Sequence, residues 1–200
     1  MKLQDKIVLV TGGSRGIGKA ISKLFVKEGA QVIITSKNIT KLEQTAKEIN
    51  CSFFIGADIK SKKDVNNAID QIIEKFGRID ILVNNAGILP EQKQLHLINE
   101  DDWNEIIDVN LTGQFRFTKA VITHMKKNGG SIINISSDAG LKAFENFYAD
   151  AYVASKAAMI MLTKSWALEY ASDNIRVNCI CASVVDTDMT NSFWLDTEIK

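Results

Sequence analysis

Tyr152 and Lys156 stand four positions apart in a stretch, 152–170, with a helical pattern, so their side chains share one face. A phenol with a pKa near ~10 does little proton transfer at neutral pH. An ammonium alongside stabilises the phenolate, lowers that pKa and brings the hydroxyl into range for exchange with an alcohol or carbonyl oxygen. Tyr148 is no substitute, because the residue four positions on is Tyr152 and not a lysine. Far upstream, Thr11-Gly12-Gly13-Ser14-Arg15-Gly16-Ile17-Gly18 joins an apolar run at 7–10 to a helical pattern. Gly12, Gly16 and Gly18 carry no Cβ, so the backbone can approach a diphosphate while the helix directs its free N–H groups at it. A P-loop fits from Gly13 as far as Lys19, but Ala20 stands where a hydroxyl would hold magnesium.

These groups must be brought together by the elements between them. Apolar runs at 7–10, 32–35, 53–55, 81–83, 131–135 and 176–180 read as strands. Helical patterns at 17–28, 40–49, 61–76, 99–127 and 152–170 separate them, with capping-box signatures at Thr40/Glu43 and Ser61/Asp64 and a helix stop at Gly77. Apolar strands separated by helices imply a parallel sheet covered on both faces: an α/β, Rossmann-type, doubly wound, three-layer fold in one domain over 1–200. Ligands of such sheets lie beyond the carboxyl ends of the strands. Residues 11–18, Ser36, Lys37, Asp58, 84–87, Ser136 and Ser137 fall at those ends and converge on one site.

The second strand ends in Ser36-Lys37 without the acid that commonly bonds the ribose 2′-hydroxyl of NAD, and Arg15 adds a cation within the turn. That favours NADP over NAD as the nucleotide, with NAD as second choice. With 24 basic and 24 acidic residues there is no charge excess to attract nucleic acid. The apolar stretches are too short for a signal peptide or a membrane span, so the expectation is a cytoplasmic protein. Cys51, Cys179 and Cys181, with His96 and His124, have neither disulfide-framework nor zinc spacing, and no metal is expected.

Read in order, T-G-x-x-x-G-I-G at 11–18, Asp58 after the third strand, N-N-A-G at 84–87, Asn110, a strand ending in Ser136-Ser137 and Tyr152-x-x-x-Lys156 resemble the short-chain dehydrogenase/reductase family over nearly the whole chain. The resemblance implies hydride transfer between a nicotinamide and a small carbonyl or alcohol, as in 3-oxoacyl thioester reductases and sugar or polyol dehydrogenases. It assigns Tyr152 as acid/base, Ser137 to the substrate oxygen and Lys156 to the ribose and to the tyrosine pKa. Asn110 would hold a water for a proton relay, and Ser136 would be structural. Gly12, Ser14, Arg15, Gly16, Ile17 and Gly18 would hold the diphosphate side of the cofactor, with Ser36 and Lys37 beyond. Asp58 and Ile59 would meet the adenine, while Asn84, Ala86, Gly87 and Thr187 complete the contacts. The helices near 112–127 and 152–170 would pair subunits into a homodimer or homotetramer.

Three departures from the family's pattern bear on activity. Ser137 and Tyr152 are fifteen positions apart, slightly more than usual, with Phe147-Tyr148-Ala149-Asp150 in the interval. Ala182-Ser183 replaces the usual Pro-Gly before Thr187, which is expected to loosen the segment that positions the nicotinamide. The chain also reads as C-terminally short, without a last strand and with Phe193 and Trp194 near its end. The rival to an enzyme is a catalytically inactive NAD(P)-binding protein or a fragment of such an enzyme. Arg116 and Lys119 on a helix could meet an anionic carrier or simply face solvent.

Overall fold

Every side chain from Ile7 to Val10 is buried, which a strand achieves only with a layer on each face. In the computed structural model, which describes residues 1–191, this strand is β1 (Ile7–Thr11), near the centre of a parallel six-stranded sheet. With it stand β2 (Gln31–Ser36), β3 (Phe53–Gly56), β4 (Ile81–Asn84), β5 (Gly130–Ser137) and β6 (Ile175–Ala182), in the order β3-β2-β1-β4-β5-β6. Phe193 and Trp194 lie outside the described residues.

The pleat divides the core. Ile7 and Leu9 point to a layer that contains α3 (Lys62–Phe76), α5 (Gly113–Met125) and α6 (Asp150–Glu169), whereas Val8 and Val10 point to one that contains α1 (Gly16–Lys27) and α2 (Ile39–Glu48). The α/β/α Rossmann-type architecture is therefore as the sequence implies. Coverage is uneven, however. Along β6, buried Ile175 and Val177 alternate with exposed Arg176 and Asn178, so among the described residues only the α6 side of this edge strand is covered. No helix of the described residues is long and apolar enough to cross a membrane.

The helix ends follow local chemistry. Ser61 accepts a hydrogen bond from Asp64 N–H at 3.2 Å, and Gly77 closes α3 in a left-handed conformation at φ 75°. For α2 the cap is Asn38, which accepts from Lys41 N–H at 3.0 Å, and not the expected Thr40. The single helix expected over 99–127 is three pieces: α4 (Glu100–Ile107), a π-helical turn (Asp108–Thr112) and α5. Gly113 packs so closely on Ile59 that a Cβ would collide with it, and the extra residue of the π turn carries Asn110 into the interior.

Candidate functional site

Strand order reverses between β1 and β4, and there Thr11 ties the two strand ends together. Its Oγ1 accepts from the N–H groups of Asn85 and Ala86, both at 3.0 Å, and donates to the Val83 carbonyl at 3.3 Å. Asn85 completes the lock, with Nδ2 donating to the carbonyls of Thr11 at 2.9 Å and Gly12 at 3.2 Å. The glycine turn thereby stands open over a cavity of about 250 Å³ at the carboxyl ends of the strands. Gly12 and Gly16 take φ values of 66° and 50°, which favour a residue without Cβ.

One end of the cavity is lined by Gly12, Ser14, Arg15, Gly16 and Ile17, with Ser36 and Lys37 beside them. Ser14 and Ser36 join hydroxyls at 3.2 Å. Neither Arg15 nor Lys37 forms a salt bridge among the described residues, whereas Lys41 is held by Asp188 at 2.9 Å. Asp58, Ile59, Ala86 and Gly87 line the middle and Ser137, Tyr152 and Lys156 the far end, whereas Thr187 stands over the glycine turn, its Cγ2 3.4 Å from where a Cβ at Gly16 would lie. Asp58 is also a turn residue, accepting from Lys60 N–H at 2.9 Å.

Three expected site residues stand elsewhere. Gly18 is behind the turn, where a Cβ would run into Asn85 Nδ2 and Gly12 O; it allows the lock and lines nothing. Asn84 is fully buried at the end of β4, with Nδ2 donating to Thr118 Oγ1 and Asn134 Oδ1, both at 2.8 Å. Asn134 in turn donates to Thr163 Oγ1 at 2.8 Å, so this chain of amides and hydroxyls braces β4 and β5 against α5 and α6. It is the neighbour, Asn85, that reaches the cavity. Asn84→Ala would strand the two acceptors in the interior and is expected to cost about 2–3 kcal/mol in urea unfolding, with nucleotide affinity unchanged.

Asn110 is the third. Its Oδ1 accepts from Ile88 N–H and its Nδ2 donates to Ile88 O, both at 2.8 Å, and it is completely buried. The side chain expected to hold a relay water pins the loop after β4 and lies behind Gly87 of the cavity wall, its Oδ1 3.3 Å from where a Cβ there would stand. Ser136 also lines the cavity, and its Oγ donates to the Lys156 carbonyl at 2.8 Å.

At the far end, Lys156 is 5% exposed and donates to the Ile135 carbonyl at 3.0 Å, with Nζ 5.4 Å from the centroid of the Tyr152 ring. Burial holds its pKa down at about 8. Tyr152 departs from expectation: burial pushes the phenol above its ordinary value, the Ser137 hydroxyl against it pulls back, and the Asp138 carboxylate adds to the rise. The largest influence is desolvation, which the sequence does not show, and the Lys156 cation that it does show adds no lowering here. Ser137 Oγ accepts from Ala139 N–H at 3.1 Å and donates to Asp138 at 3.2 Å.

The lysine makes stability depend on pH. The folded chain releases this proton near pH 8 and the unfolded chain near 10.5, so the buried charge is a cost that is full below pH 8 and fades as pH rises towards 10.5. Between about pH 7 and pH 10 the nucleotide-free protein is expected to gain about 2–3 kcal/mol relative to its Lys156→Met variant, measured by denaturant unfolding at each pH.

Where Pro-Gly is absent, β6 continues to Ala182, paired opposite Ser137. The following segment is laced by Thr190, whose Oγ1 accepts from Thr187 N–H at 3.1 Å and whose N–H donates to Thr187 O at 3.0 Å. Local hydrogen bonding thus replaces the rigid dipeptide at the residue that faces the cavity. Thr190 escaped the sequence reading, and Thr11 and Asn85 were legible as members of the converging strand ends but not as the residues that lock the turn.

A family model described as short chain dehydrogenase matches residues 6–198. The chain is 38% identical over 196 residues to a 3-oxoacyl-[acyl-carrier-protein] reductase of Thermotoga maritima, covering 95% of this chain and 78% of that protein. It is 37% identical over 206 residues to a 3beta-hydroxysteroid dehydrogenase of Mediterraneibacter gnavus, covering all of this chain and 73% of that one. A crystal structure of the 3-ketoacyl-(acyl-carrier-protein) reductase from Brucella melitensis, complexed with NADH, superposes with a TM-score of 0.88 at 32% identity, over 94% of this chain and 79% of that one.

Proposed function

This chain belongs to the short-chain dehydrogenase/reductase family, oxidoreductases of CH–OH and C=O groups with NAD(P), and we propose that it works with NADP(H) on a small carbonyl or alcohol, with Tyr152 as acid/base. The observation that carries the reading is one continuous cleft, with a glycine turn at one end and Ser137, Tyr152 and buried Lys156 at the other.

The residues present fit a dinucleotide. Gly12 has no room for a side chain, since a Cβ would lie 2.8 Å from Ala86 Cα, so the backbone itself forms the wall of a cradle. Ser14, Arg15, Gly16, Ile17 and Thr187 would hold the diphosphate side, Ser36 and Lys37 the ribose end with its phosphate, Asp58 and Ile59 the adenine, and Ala86 and Gly87 the nicotinamide half. The cofactor supplies the hydride.

The chain's own groups supply placement and a proton. In reduction Tyr152 Oη gives its proton to the carbonyl oxygen, and Ser137 Oγ donates a hydrogen bond to the same oxygen, turning from Asp138 to do so. The ammonium of Lys156, beside the Tyr152 ring, stabilises the phenolate left behind in this reading. Asn110 acts through Ile88, as a positioning residue for the loop that borders the cleft. Exposed Phe115 on α5, with exposed Met161 and Leu168 on α6, supports pairing of copies through these helices. A cytoplasmic location fits three cysteines that are all free.

Fluorescence titration tests the cofactor assignment. NADPH is expected to bind about tenfold or more tightly than NADH, and Ser36→Asp, which sets a carboxylate against the 2′-phosphate, to reverse the order. Equal or tighter binding of NADH by the wild type would contradict it.

A further inference from the structure

A cation close to the ribose end of the cleft is already held by the chain itself. Ser36, at the end of β2, joins hydroxyls with Ser14 of the glycine turn and accepts from Asn38 N–H at 3.3 Å. Asn38 in turn caps α2 by accepting from Lys41 N–H at 3.0 Å. One short run therefore leads from the ribose end to Lys41, in the first turn of α2. The ammonium of that lysine donates to Asp188 Oδ2 at 2.9 Å.

Asp188 belongs to the segment after β6, 147 positions away in the chain, and it lines the cleft. Its neighbour Thr187 is the residue that stands over Gly16. The hydrogen bond from Lys41, and then its charge, hold the Asp188 carboxyl below its ordinary value, and the Arg15 guanidinium adds to the fall. One carboxylate thus sits in the field of two cations beside the ribose end, where the 2′-phosphate of NADP(H) would also seek a cation. Two anions sharing Lys41 would repel each other, so one must give way. The pair is replaceable: its side chains are 45% and 51% exposed, and an ion pair so open to water is worth about fivefold in an equilibrium at most.

We propose that Lys41 is a further ligand of the 2′-phosphate and that Asp188 is its internal competitor, occupying the cation in the nucleotide-free chain and yielding it to a 2′-phosphorylated nucleotide. This rests on the NADP(H) reading of the cleft. Because Asp188 and Thr187 are consecutive, the exchange also unties the segment that lies over the glycine turn.

The test is a fluorescence titration of the 200-residue chain with NADPH and NADH, joined by calorimetry with adenosine 2′,5′-bisphosphate, a probe without nicotinamide. Asp188→Asn is expected to tighten NADPH and the bisphosphate about fivefold and to leave NADH within about twofold, while Asp188→Glu stays near the wild type. Adding Lys41→Gln to Asp188→Asn is expected to weaken NADPH and the bisphosphate about tenfold relative to Asp188→Asn, with NADH again unmoved. Weaker binding of both dinucleotides by Asp188→Asn would mark a clamp rather than a competitor and overturn the proposal. Equal tightening of NADPH and NADH, or affinities indifferent to both substitutions, would overturn it too. A wild type that binds NADPH no better than NADH would instead overturn the underlying reading of the cofactor.

Discussion

Replacing Tyr152 by Phe is expected to lower kcat/KM for carbonyl reduction about 10³-fold while leaving the Kd for NADPH within about threefold. The substitution removes one oxygen. The ring stays in its edge-to-face contact with Phe147, and Lys156 keeps its hydrogen bond to the Ile135 carbonyl, so neither packing nor the buried lysine loses a partner. What disappears is the proton at the carbonyl oxygen in the transition state, for which Ser137 alone supplies only orientation and a hydrogen bond. Steady-state rates and a nucleotide titration on the same preparation separate the two effects. A loss below tenfold would mean that another group delivers the proton.

Gly12→Val is expected to act on the opposite end of the cleft and to reach the fold as well. At φ 66° a β-branched residue is strained by about 1–2 kcal/mol or more. Its Cβ would also meet Ala86 Cα at 2.8 Å, a contact with main chain that cannot swing aside. Relief requires the turn and the 84–87 segment to part, which breaks the lock made by Thr11 and Asn85. Together these cost about 3–5 kcal/mol, which for a chain of this size lowers Tm by about 8–15 °C. NADPH should then no longer raise the Tm. Gly12→Ala, with the same backbone demand and a smaller side chain, should fall between the two. A Gly12→Val protein with unchanged Tm and an intact NADPH shift would show that the turn is not the cradle.

The fold was legible because its signals are local. An apolar run at 7–10, glycines at 12, 16 and 18, a serine cap at 61 and a glycine stop at 77 each act within a turn or two of the chain, and the structure uses them where they stand. The convergence of strand ends was legible for the same reason. What escaped depends on groups distant in the chain. In the pair Asn84-Asn85, one residue faces the interior because Thr118, Asn134 and Thr163 wait for it there, and the other reaches the turn because Gly18 leaves room. The π turn at Asp108–Thr112 leaves the apolar pattern of 99–127 looking like one helix, yet it decides where Asn110 points. Tyr152 and Lys156 were visible as a pair, whereas their burial, which sets both pKa values, is a property of the assembled sheet and helices.

The central claim is that this cleft binds a nicotinamide dinucleotide through the glycine turn. Thermal unfolding of the chain with increasing NADPH tests it most directly, since a ligand that binds only the folded state must raise its stability. The account predicts a Tm that climbs with NADPH, climbs less with NADH at equal concentration, and does not move with magnesium-ATP. A Tm indifferent to both nicotinamide nucleotides, or raised by magnesium-ATP alone, would contradict it.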